Sequence, residues 1–133
     1  MEPSWFSGPR LTTPDTPFES LAELADEVVR LGRAARARTL SAKESSGQTF
    51  TVSNIGAMGA GGHGTPLVPL GTTAIVSLGR AADKPVVRAG RVAIAPVMPV
   101  SLSYDHRVID GAMGRRFLGM FAAVLAEPVR LLT

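Results

Sequence analysis

Ser101-Leu102-Ser103-Tyr104-Asp105-His106-Arg107-Val108-Ile109-Asp110-Gly111 is the stretch in which the residue pattern changes its period. Up to Tyr104 polar and apolar residues alternate, the two-residue repeat of a strand with one face toward a core. Beyond Gly111, Met113, Phe117, Met120, Phe121, Val124 and Leu125 recur at helical spacing. Asp110-Gly111 is a helix-start signal, since an Asp side chain can accept from an otherwise unpaired N–H of the first turn. Pro128 predicts the end of that helix. A strand therefore runs into a helix, with a histidine and an aspartate four residues apart at the junction.

Working outward, Thr73 to Leu78 is a continuous apolar-rich run, the pattern of a buried strand. Pro85-Val86-Val87-Arg88 and Arg91-Val92-Ala93-Ile94 flank Ala89-Gly90 and predict a hairpin. Its second strand could continue from Val97 to Tyr104, with a break or bulge at Pro96 and Pro99. Thr49 to Ser53 alternates and reads as a strand. Gly56 to Gly64 places five glycines in nine residues, a turning loop. Ser41 to Gln48 is polar and predicts a turn.

Residues 20–39 read as a helix. Ser20 with Glu23 forms a capping box, with a competing start at Thr16-Pro17-Phe18-Glu19. Leu21, Leu24, Val28, Leu31 and Ala35 form the apolar stripe, and Arg30, Arg33, Arg36 and Arg38 crowd its C-terminal half. Residues 1–19 hold four prolines and read as an irregular leader or linker. Helix, strand, strand, hairpin, helix is the order of an α+β domain, a mixed sheet with helices packed on one face.

Composition narrows the function. With 45% apolar and 19% charged residues, 133 residues support a packed domain. No cysteine is present, which excludes disulfides, a cysteine nucleophile and thiolate metal sites. Two histidines and no cysteine do not by themselves make a metal site; carboxylates could complete one, but none is expected. The net charge of +3 is mild and aromatics reach only 5%, so a nucleic-acid partner is not expected. No apolar run approaches membrane-spanning length, so no membrane partner is expected. The first ten residues lack an apolar core after basic residues, so no secretory signal is read and a cytoplasmic setting is the default.

His106 is the candidate general base. An imidazole titrates near neutrality, and a thiol lies only about two pH units higher, so one can deprotonate the other. Spacing alone equally fits an ordinary histidine held by hydrogen bonds. Asp110 is explained equally well as an N-cap, with Gly111 following for close packing. Arg107 could pair with Asp105 or with Asp110. His63 and its glycines read as loop, Ser101 and Ser103 as a polar strand face, and the helix arginines as a solvated surface.

Tyr104-Asp105-His106-Arg107-Val108-Ile109-Asp110-Gly111-Ala112 resembles the DHRxxDGA signature of 2-oxoacid dehydrogenase acyltransferases, a form of the HxxxDG motif shared with chloramphenicol acetyltransferase. Phe50-Thr51-Val52-Ser53-Asn54-Ile55-Gly56 is similar to the same family's FTxSNxG strand. Thr65-Pro66, Ala74-Ile75, Leu78-Gly79 and Ser20 to Ala25 extend the resemblance, which runs from about residue 20 to the end. It implies a chloramphenicol-acetyltransferase-like fold, incomplete at its N-terminus, with residues 20–133 forming part of a catalytic domain.

The resemblance also implies an activity: acyl transfer between dihydrolipoamide and coenzyme A within a 2-oxoacid dehydrogenase complex. His106 is then the base on the attacking thiol, Ser53 the hydroxyl that stabilises the oxyanion, and Asp110 the support of the histidine loop, directly or through an Arg. Coenzyme A is a substrate, the lipoyl group is carried on another domain or chain, and no metal is required. The implied partners are a homotrimer or larger core assembly, with histidine and serine contributed by neighbouring chains, and the lipoyl domain and other subunits of the complex. In a eukaryote the setting would be the mitochondrial matrix. The alternative is a truncated, non-catalytic oligomerisation or assembly module of the same fold.

Overall fold

The computed structural model describes residues 20–58 and 62–131. The expectations for residues 1–19, including the competing helix start at Thr16, and for residues 59–61 of the glycine-rich loop lie outside them. Two compact units divide the chain, residues 1–49 and residues 50–133.

In the first unit, α1 spans Leu21–Ala37. The expected capping box is present: Glu23 N–H donates to Ser20 Oγ (3.2 Å) and Ser20 N–H to Glu23 Oε2 (3.0 Å). The helix ends at Arg38 in the left-handed conformation (φ 57°), its N–H turned back to Ala34 and Ala35 carbonyls. Of the predicted stripe, Leu31 is fully buried. Arg30 bonds Glu27 and, across the following turn, Glu44 (2.6 and 2.7 Å). Glu44 also accepts from the Ser41 N–H and hydroxyl, and these bonds, foremost the hydroxyl's, hold its carboxyl down at about 2. One of the four helix arginines is thereby tied to its own unit.

The second unit contains two sheets. Strands β1 (Phe50–Asn54), β2 (Ala74–Leu78) and β5 (Val100–Tyr104) form a mixed sheet in the order β1-β2-β5. β1 runs parallel to β2, and β5 antiparallel to it. β2 is central, which is why its apolar run is continuous: Ala74, Ile75 and Val76 are all buried. Strands β3 (Ala82–Arg88) and β4 (Arg91–Val97) pair only with each other. Ala89 and Gly90 both have positive φ (49° and 72°), as the expected two-residue turn requires. The break at Pro99 separates β4 from β5.

Helix α2 spans Gly111–Ala126, ending just before Pro128 as expected, and Pro128 opens a short 3-10 turn. Facing residues share a side of a sheet, so Phe50, Ala74 and Tyr104 lie on one face and Ser53, Ser77 and Ser101 on the other. α2 packs on the first face. Phe117 meets Phe50 with ring centroids 5.4 Å apart, and a Cβ built on Gly114 would lie 2.7 Å from the Tyr104 ring. Gly114 is thus the close-packing glycine of this helix. Gly111, expected in that role, faces open space. Among the described residues no helix is long and apolar enough to cross a membrane.

Candidate active site

The junction between β5 and α2 is a tight turn organised by one residue. Asp105 donates its N–H to the Thr73 carbonyl (2.9 Å), which extends the β2–β5 pairing by one step. Its own carbonyl accepts from Val108 and Ile109 N–H (3.0 Å each). Its carboxylate accepts from the Arg107 N–H (3.0 Å), from Nε (2.9 and 3.1 Å) and from Nη2 (2.6 Å). The Arg107 side chain first, and its N–H second, hold the Asp105 carboxyl down at about 2. Of the two partners left open for Arg107, the structure has Asp105.

Asp110 closes the turn at the other end. Its Oδ1 accepts from Met113 N–H (2.7 Å), an N-cap bond that starts α2. Its carboxylate is committed to the helix, and the arginine of the motif goes elsewhere.

His106 lies between these two fixtures and is exposed. Its ring touches Tyr104, centroids 5.7 Å apart and tilted by 46°. Among the described residues the imidazole joins no hydrogen bond or ion pair. Beside it opens a groove of about 390 Å³, lined by Val68, Leu70, Thr72, Tyr104 and Arg107. An exposed imidazole beside a groove is open to approach by a small ligand.

Ser53 is half-buried near the far end of β1. It pairs across the sheet with Ser77, and Ser77 with Ser101, giving a row of three hydroxyls on the face opposite α2. The segment around Gly64 lies over this row: Ser101 Oγ donates to the Gly64 carbonyl, and a Cβ on Gly64 would meet Ile55 Cδ1 at 2.8 Å and Ser77 Oγ at 3.5 Å. A cavity of about 110 Å³ remains there, lined by His63, Thr65, Ser77, Val100 and Ser101. Ser101 and His63, read from sequence as strand face and loop, are both drawn into it.

The structure does not bring Ser53 and His106 of one chain together. Ser53 is level with Ser101, whereas His106 lies beyond Tyr104, which is level with Phe50. Three strand positions and two strand spacings put Ser53 about 14 Å from Tyr104, and His106 follows farther out. A hydroxyl and an imidazole serving one reacting carbon must come within roughly 6–7 Å of each other. Asp105, read from the sequence only as one of two partners open to Arg107, organises the histidine turn; its signal was its place next to the histidine with an arginine on the other side.

Residues 15–133 match the family described as 2-oxoacid dehydrogenases acyltransferase (catalytic domain). The dihydrolipoyllysine-residue acetyltransferase component of the pyruvate dehydrogenase complex from Staphylococcus epidermidis is 41% identical over 114 residues, 86% of this chain and 26% of that protein. Among solved structures, the dihydrolipoamide acetyltransferase of Azotobacter vinelandii superposes with a TM-score of 0.79 at 36% identity, covering 86% of this chain and 47% of that one. That enzyme was studied for the role of a serine, a histidine and an asparagine in its catalytic mechanism. A truncated catalytic core of the 2-oxoacid dehydrogenase multienzyme complex from Thermoplasma acidophilum gives a TM-score of 0.67 at 32% identity, covering 83% and 47%. The chain therefore spans about a quarter of its curated relatives and about half of the solved catalytic chains.

Proposed function

The chain belongs to the 2-oxoacid dehydrogenase acyltransferase (catalytic domain) family, and on that premise we propose that it contributes His106 and Ser53 to acyl transfer between the thiols of dihydrolipoamide and coenzyme A. The observation that carries this is an exposed imidazole beside a groove, without a hydrogen-bond partner among the described residues, together with a serine held at the opposite end of the same sheet. Such residues serve one reaction when the histidine of one copy faces the serine of the next. A closed assembly, a trimer or a larger core built from trimers, supplies that arrangement.

In the reaction His106 takes the proton of the attacking thiol. The thiolate sulfur bonds to the thioester carbonyl carbon, and the carbonyl oxygen becomes an oxyanion. Ser53 Oγ donates a hydrogen bond to that oxygen, a contribution of about 3 kcal/mol for one such donor. The tetrahedral centre collapses, the original carbon–sulfur bond breaks, and the departing sulfur takes the proton back from His106. Asp110 acts by fixing the α2 end of the histidine turn.

Spacing in the Azotobacter enzyme supports the assignment. Its asparagine follows its histidine by four residues, as Asp110 follows His106, and its serine precedes the histidine by one residue fewer than Ser53 does here. The relatives are acetyltransferases, so acetyl is the group to assay first. The lipoyl group would arrive on another domain or chain of the complex, in the cytoplasm or, in a eukaryote, the mitochondrial matrix. Acetyl transfer from acetyl-coenzyme A to dihydrolipoamide tests the reading. His106→Ala should abolish it and Ser53→Ala slow it by about 100- to 1000-fold. A folded oligomer that transfers no acetyl group even when the rest of the catalytic domain is supplied, on the same chain or on another, overturns the catalytic reading and leaves an assembly module.

A further inference from the structure

We propose that Asp105, through its fork with Arg107, is the positioning residue for His106. The inference rests on the acyl-transfer reading for what the positioning serves. Its physical basis is independent of that reading.

A general base must present a ring nitrogen to the proton it takes, and it is usually oriented by a third group bonded to the ring. Here no side chain among the described residues bonds the ring. Asp110 is committed to Met113 N–H. Orientation must therefore come through the backbone on either side of His106 and through the Tyr104 ring. Asp105 and Arg107 are those flanking residues, and three donors of Arg107 converge on the one Asp105 carboxylate.

The fork closes over a single intervening residue. It fixes the φ and ψ of His106 without touching the imidazole, whose two nitrogens remain available. The Asp105 backbone is itself anchored to Thr73, the residue just before the central strand, and to Val108 and Ile109 in the turn. Tyr104, which limits the ring from one side, is packed against Gly114. The Arg107 side chain is 88% exposed, so the pair adds little to global stability. What it constrains is local: two residues are locked so that the one between them points one way.

Asp105→Asn and Arg107→Ala test this in the full chain, in a His63→Gln background that leaves His106 as the single histidine signal. The readout is the His106 ring proton and carbon resonances, with circular dichroism as the check on folding. The expected result is one sharp resonance pair for the parent, and broadened or doubled resonances in both variants with the fold retained. Acetyl transfer, where measured, should lose about tenfold or more in kcat with KM little changed, the signature of a misplaced catalytic group. Arg107→Lys, which keeps the charge and loses the fork, should recover only part. Unchanged sharp resonances in both variants overturn the proposal. Should Asp105→Asn unfold, Arg107→Ala decides it, since that variant leaves every Asp105 backbone bond in place. Absence of acetyl transfer in the parent, even with the rest of the catalytic domain supplied, refutes the proposed function, and the resonances still decide whether Asp105 and Arg107 position His106.

Discussion

Mixing a dead chain with a crippled one should restore activity. The perturbation is His106→Ala in one sample of the chain and Ser53→Ala in another, unfolded together in equal amounts and refolded. Within one chain the two residues are separated by three strand positions and two strand spacings, about 14 Å before the further turn to His106 is counted. In a closed ring each site would take its imidazole from one copy and its hydroxyl from the next. With random assembly half of the copies carry an intact histidine and the other half an intact serine. About a quarter of the sites then hold both groups, whatever the ring size. The Ser53→Ala chain alone retains at most about a hundredth of the parent rate. The mixture should therefore stand about 25-fold or more above either variant, a margin that steady-state acetyl transfer resolves easily. Native mass spectrometry of the mixture, with one chain isotopically heavy, establishes that mixed oligomers formed. Mixed oligomers whose rate stays at or below that of Ser53→Ala would show that serine and histidine work within one chain, and the reading of the sheet register as a separation would be wrong.

Three further outcomes follow from local geometry. Gly114→Ala should destabilise the second unit by about 1–3 kcal/mol, because its Cβ would press on the Tyr104 ring at 2.7 Å. Gly119→Ala, in the same helix with open space around it, should stabilise by about 0.5–1 kcal/mol; equal thermal shifts for the two refute the packing of α2 on the sheet. Asp110→Ala should cost about 1 kcal/mol in urea unfolding and Asp110→Asn much less, since Asn also caps; a large loss with Asn would mean that the charge, not the cap, is what matters. Asp105 has its folded pKa depressed from 3.8 to about 2, so its contribution is fully present above pH 4 and is lost as pH falls toward 2. Because the pair is exposed that contribution is small, so the check is the Asp105 carboxyl resonance, whose titration midpoint should fall below 3.8; a midpoint at 3.8 or above would exclude the linkage.

Much of the fold was legible because its signals are local. The capping box at Ser20 and Glu23, the Ala89-Gly90 turn and the Asp110 cap are each decided within four residues, and each forms as read. The β2 run was recognisable because a strand buried on both faces has no need of polar alternation. What escaped was non-local. Nothing in Phe50 to Asn54 states that it pairs parallel with β2 rather than with the next strand of the hairpin. Nothing in Gly111 and Gly114 says which one meets a ring, because that depends on where Tyr104 projects from another element. Arg107 had two aspartates within reach, and the choice fell to backbone geometry: once Asp110 turns its carboxylate to Met113 N–H, Asp105 is left facing the guanidinium.

The same distinction bears on the site itself. A motif such as Asp105 to Gly111 is a string of neighbours, and a string can specify a turn, a cap and an exposed ring. It cannot specify what faces the ring, because that is a matter of strand order and register. Here β5 runs antiparallel to β2 and β1 parallel to it, so the two family strings enter the sheet from opposite ends. Ser53 comes near the end of its strand, and His106 just after the end of its own. Because these strands run in opposite directions, those ends point apart. Had β1 run antiparallel to β2, Ser53 would lie level with Ile75 and Ser103, close to the histidine turn, and one chain could hold both groups. On the proposed reading, the direction of one five-residue strand thus decides whether the two groups could meet within a single chain or only at the boundary between two.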